Sequence, residues 1–244
     1  MTVLARHLYF RMMRKGRVLA LLALSSVPAL VYWLAGFDAS DPELDVLYSD
    51  VLATAGFSYS IAALILTVAT LREERDGGTL PYIYMRPMSR LNIAVASMAA
   101  GVGAALTIGL GGWLTTVISV ALVGADVTQT LAGLTLFAGA GLGYAAIFVP
   151  LGYLVPRSLL VGLGYVIVVE SILAAVVTGL AQFSIFRIAL SIYADLASVF
   201  DPQGAGDVLG PVTPGVGGGL VKLAAVMLAG VSVLTWALRR RDAL

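Results

Sequence analysis

Six apolar runs of membrane-spanning length, with basic residues gathered at alternate ends, confine this chain to one kind of fold. A bilayer core takes about 20 mostly apolar residues to cross as a helix, and a helix satisfies its backbone polar groups within that one segment. The runs are Val18–Gly36, Val51–Leu71, Ala94–Val123, Leu131–Val155, Leu159–Ala181 and Gly218–Leu238. Composition agrees: 59% of the 244 residues are hydrophobic and 12% charged, about half the charged share of a soluble domain. The expected fold class is all-α, a polytopic membrane protein of six transmembrane helices forming one domain over residues 1–244.

The placement of charge sets an orientation. Arg6, Arg11, Arg14, Lys15 and Arg17 precede the first run, and Arg72, Arg75, Arg86 and Arg90 lie between the second and third. Arg157 follows the fourth and Arg239, Arg240 and Arg241 follow the sixth, so 13 of the 15 basic residues fall on one side. The positive-inside rule then puts both termini in the cytoplasm of a cell (plasma or inner) membrane. The opposite loops are acidic: Asp38, Asp41, Glu43, Asp45 and Asp50, then Asp126, then Asp195, Asp201 and Asp207.

Residues 1–17 are expected to form a cytoplasmic, interfacial helix, because Leu4, Leu8 and Met12 recur among basic residues at helical spacing. The first apolar run is longer than a signal-peptide core and is read as a retained helix. The outer segment 182–217 carries Ile185, Ile188, Ile192, Leu196 and Val199 at helical spacing, which predicts a helix lying at or dipping into the outer leaflet. Glycines at 101, 103, 109, 111 and 112, and at 133, 139, 141 and 143, allow close helix approach. Pro28 and Pro150 predict kinks.

The second and third runs are joined by residues 72–90, a charged loop punctuated by glycine, threonine and proline. Glu73, Glu74, Arg75 and Asp76 mark the end of the second helix, and Gly77 and Gly78 break it. Thr79 is placed to cap a short helix with Pro81 in its first turn; Ser89 is placed to cap the third span. Between them Tyr82, Ile83, Tyr84 and Met85 are large and apolar for a solvated loop. An apolar knob with a charged rim has the anatomy of a protein-docking element, while aromatic anchoring at the lipid interface accounts for Tyr82 and Tyr84 equally well.

Catalytic chemistry has little to draw on. The chain has no cysteine and one histidine, His7, outside every apolar run, so His-based triads and clustered metal ligands are not expected. A P-loop needs G-x-x-x-x-G-K-[ST]. The two lysines, Lys15 before Gly16 and Lys222 before Leu223, cannot supply it. The chain is therefore not expected to be an enzyme.

The loop resembles the signature of the permease subunits of type-2 ATP-binding-cassette exporters. Their approximate pattern, E-R-x-x-G-T-L followed after a short helix by P-[VI]-S-R, is matched by Glu74, Arg75, Gly78, Thr79, Leu80, Pro87, Ser89 and Arg90, with Met88 in place of Val or Ile. The resemblance implies that residues 79–85 form a coupling helix seated in an ATPase, with Glu73, Glu74, Arg75 and Arg90 around it. It also implies export, a second permease copy or a related permease chain sharing the translocation path, and ATP and Mg bound by the partner ATPase rather than here. No cofactor on this chain and no nucleic-acid partner are expected. A self-contained secondary carrier is the alternative, although no internal repeat of the kind many carriers show is evident; a membrane scaffold or sensor subunit would carry the same loop.

One acid lies deep in a run. Glu170, about mid-way along the fifth, costs roughly 2.5–3.5 kcal/mol on insertion scales if charged and facing lipid. It is expected to meet a translocation path or permease interface, or to be bonded to a neighbouring helix through Thr115, Thr116, Ser119 or a backbone carbonyl.

Overall fold

A computed structural model describes residues 1–37, 39, 41–85, 88–173, 183–200 and 215–240, and every regular element among them is helical. In chain order these are α1 (Thr2–Met12), α2 (Lys15–Ser25), α3 (Val27–Gly36), α4 (Asp41–Asp76), α5 (Leu80–Tyr84), α6 (Arg90–Val123), α7 (Thr128–Leu154), α8 (Ser158–Tyr165), α9 (Ile185–Phe200) and α10 (Gly215–Arg240). α8 continues as a π-helical stretch, Val166–Leu173. Among the described residues, four helices are long and apolar enough to cross a membrane: α4 from Thr54, α6, α7 from Thr130, and α10. The bent pair α2–α3 makes a fifth if it is one span.

The bend is 41° at Ser26, with Pro28 in the first turn of α3. Proline lacks the amide that would continue the ladder and its ring crowds the preceding turn. Just before the bend the Ser25 and Ser26 hydroxyls both donate to the Leu22 carbonyl, which also accepts the Ser26 amide. Pro150 is accommodated inside α7, which runs on to Leu154. The fifth apolar run is covered as far as residue 173; residues 174–181 lie outside the described set, as do Asp38, Asp201, Asp207 and Arg241.

α7 is the central helix, flanked by α4, α6, α8, α9 and α10. Between apolar helices in a membrane, close van der Waals packing takes over from the hydrophobic effect, and small residues permit it. Tyr59 of α4 is fully buried and donates to the Ala105 carbonyl of α6 at 2.9 Å. Its hydroxyl also lies where a Cβ on Gly109 or Gly141 would stand 2.8 or 2.6 Å away. The glycines of the third and fourth runs thus make room for this ring.

Three expectations change. The acidic segment before the second span is mostly helix, because α4 begins at Asp41, well ahead of the apolar run. The Leu4, Leu8 and Met12 stripe of α1 is buried by protein rather than lipid. α1 lies against α4 and α6, with the Tyr9 hydroxyl bonded to Thr107 at 2.9 Å and Thr70 donating to the Met12 sulfur at 3.2 Å. Likewise the apolar stripe of α9 faces protein. Ile185, Ile188 and Ile192 are buried against α7 and α10, fitting over Gly143 and Gly219. Leu196 packs at the edge of that contact, and the side chain of Val199 lies outside the described residues.

Candidate functional site

The charged loop is built on the end of α4. Gly77 and Gly78 end that helix, Gly78 with φ 66°, a left-handed conformation that glycine adopts at little cost. Thr79 then stands at the N-cap position of α5, with Pro81 in the first turn. Its hydroxyl, however, makes no capping bond. It donates instead to the Glu74 carboxylate, pinning the new helix back onto the old one. Ser89 does cap α6, accepting from the Asn92 amide at 3.2 Å. Arg86 and Pro87 lie outside the described residues.

α5 has two faces. Leu80 and Ile83 are buried, whereas Tyr82 and Met85 are 66% and 70% exposed. Tyr84 belongs with the inward side: its hydroxyl meets that of Tyr153 at 2.9 Å, and the Arg90 guanidinium lies 4.3 Å from its ring centroid. A cation over an aromatic face is worth about 0.5–1 kcal/mol at exposed sites. Of the four large apolar residues, the outward knob is therefore Tyr82 with Met85, while Ile83 and Tyr84 turn inward.

The charges expected around the knob turn inward to hold it. Glu74 is 1% exposed and pairs with Arg11 Nη1 at 2.5 Å, with His7 Nε2 at 3.6 Å. Arg11 also donates to the Glu73 carbonyl at 3.2 Å, and Arg17 pairs with the Glu73 carboxylate. Arg75 donates to the Tyr153 carbonyl at the end of α7, at 2.8 Å. A buried carboxylate needs such partners, since desolvation costs several kcal/mol per ion. The loop is thus clamped between the N-terminal segment and α7.

Sequence reasoning missed Arg11, Arg17 and Tyr153 as members of this cluster. Arg11 and Glu74 are more than sixty residues apart, and no periodicity links them. The one available signal was complementary charge, basic before the first run and acidic at the end of the second.

Glu170 forms a second polar centre, away from the loop. It accepts from the Tyr165 hydroxyl at 3.1 Å, from the Ser184 hydroxyl, and from the Ile185 and Phe186 amides at 3.0 and 3.3 Å. The Ser184 oxygen accepts from the Arg187 amide at 3.1 Å. Glu170 and Ser184 together cap α9, whose first amides lack intrahelical acceptors; an acid also complements a helix N-terminus. Thr115 and Thr116 bond elsewhere, to the Gly112 carbonyl. Among the described residues no three His, Asp or Glu side chains converge as a metal site would require.

No protein-family model matches this chain, and no curated protein matches it.

Proposed function

We propose that the chain is the membrane-spanning permease subunit of an ATP-driven exporter of the ATP-binding-cassette type. The observation that carries this reading is α5: a five-residue helix with Tyr82 exposed, Met85 exposed just past its end, and its base clamped by the Glu74–Arg11 pair and the Arg75–Tyr153 bond. A mobile lipid anchor needs no such bracing, but a lever that transmits force does. The E-R-x-x-G-T-L match of Glu74 to Leu80 supports the same assignment. In this reading the chain spans a cell membrane six times with both termini cytoplasmic. A second permease copy or related chain completes the path, and a partner ATPase binds ATP and Mg and receives α5. Glu170 then holds α9 in place beside the path rather than carrying a proton.

The test is co-purification from native membranes in mild detergent, comparing wild type with Tyr82→Asp/Met85→Asp. Tyr84 is left intact because it braces the seat. We expect a stoichiometric P-loop ATPase with wild type and its loss from the variant, with both chains equally folded. A folded wild-type chain that emerges alone under gentle conditions overturns the assignment and turns attention to a self-contained carrier.

A further inference from the structure

A crevice of about 460 Å³ opens between the N-terminal segment, the last turns of α4 and the start of α8. Its walls change character along their length. At one end stand Arg11, Arg14, Arg17 and Arg72, against only two lining carboxylates, Glu73 and Asp76. At the other end are Ile65 and Leu159, both partly exposed. Ile65 precedes Arg72 by seven helical residues, so the crevice passes from charged to apolar over about 10 Å.

The arginines are not equally engaged. Arg11 is held by Glu74 and the Glu73 carbonyl, and Arg72 bonds Asp76 at 3.2 Å within its own helix. Arg17 spends one nitrogen on Glu73; its Nη1 is buried and donates to no acceptor among the described residues. Arg14 is exposed and pairs with no carboxylate among them. A buried donor without an acceptor is costly, and a guanidinium fork matches phosphate oxygens in geometry as well as charge. Basic pockets between membrane helices suit anionic lipid headgroups for the same reason.

We propose that this crevice binds a phosphate group, that of an anionic phospholipid, with Arg14 and Arg17 on the phosphate and Ile65 and Leu159 along the acyl chain. The inference does not depend on the transporter reading, because it needs no partner chain.

The full chain is reconstituted in nanodiscs of phosphatidylcholine with phosphatidylglycerol, and the lipids it retains are counted by native mass spectrometry. Wild type should retain phosphatidylglycerol over phosphatidylcholine. Each basic side chain near an anionic surface contributes about fivefold, so Arg14→Gln should reduce the preference about fivefold and Arg14→Gln/Arg17→Gln on the order of twentyfold. Arg14→Gln alters an exposed side chain and leaves the fold intact, so it stands alone should the double variant unfold. Inorganic phosphate is added in a competition arm. Failure to displace the lipid identifies the headgroup as the source of the phosphate, and displacement identifies the free anion; both support a phosphate site. Equal retention of the two lipids by wild type, or a preference untouched by Arg14→Gln, overturns the proposal.

Discussion

Glu170 is bonded to four donors, and three of them belong to the start of α9: the Ser184 hydroxyl and the Ile185 and Phe186 amides. Asp195 repeats the arrangement one helix later, accepting from the Val216 amide of α10 at 2.8 Å. In each case an acid reaches the first turn of the following helix, where free amides and the helix dipole favour an acceptor with negative charge. Glu170→Leu leaves those donors without their acceptor, at a cost on the order of 1–3 kcal/mol for each one that stays buried. Glu170→Gln keeps one acceptor oxygen and should lose less. Hydrogen exchange at the Ile185 and Phe186 amides reads this directly: we expect faster exchange in the Leu variant than in Gln or wild type. Unchanged protection in the Leu variant would mean that Glu170 does not hold α9. The sequence marked Glu170 as a buried acid in need of company; three of its four partners came from the outer segment, whose helical spacing predicted a helix at or dipping into the outer leaflet.

Among the helices, the outcome turns on what covers an apolar stripe. α1 and α9 both carry such stripes, and a stripe of leucine or isoleucine is equally compatible with lipid tails and with a neighbouring helix. Grooves of small residues settle it for α9, where Ile185 fits over Gly143 and Ile192 over Gly219. The same close approach joins α7 to α4 at Gly152, where an added Cβ would overlap the Val68 carbonyl. Backbone cannot swing aside as a flexible side chain can, so Gly152→Ala should force the helices apart and cost about 1–3 kcal/mol, the usual range for overpacking. Gly164 has nothing within 4 Å of an added Cβ, and Gly164→Ala should leave stability equal or slightly raised. Thermal melting of the two variants separates these outcomes; a Gly152→Ala protein that melts like wild type would show that the α4–α7 contact is loose.

For the whole molecule, orientation is the property most open to direct measurement, because the absence of cysteine gives single-cysteine variants no background. Tyr82 and Asp126 are exposed at opposite ends of α6, a helix of 34 residues and about 50 Å in length. A membrane-impermeant maleimide applied to intact cells should label Asp126→Cys, and should label Tyr82→Cys only after permeabilisation. Reversed labelling overturns the orientation, and labelling of both from one side means that α6 does not cross. The sequence by itself determined that the chain is helical and apolar enough to span a membrane, where four of its long helices fall, and that a charged break with a short helix inside separates the second and third runs. These are properties of local composition, averaged over a turn or a span, and need no knowledge of neighbours. Only the tertiary structure decided that Glu74 is buried on Arg11, that Tyr84 turns inward while Met85 turns out, and that the α9 stripe meets glycines rather than lipid. Such choices depend on which surface arrives opposite a side chain, and that surface comes from residues far away in the chain.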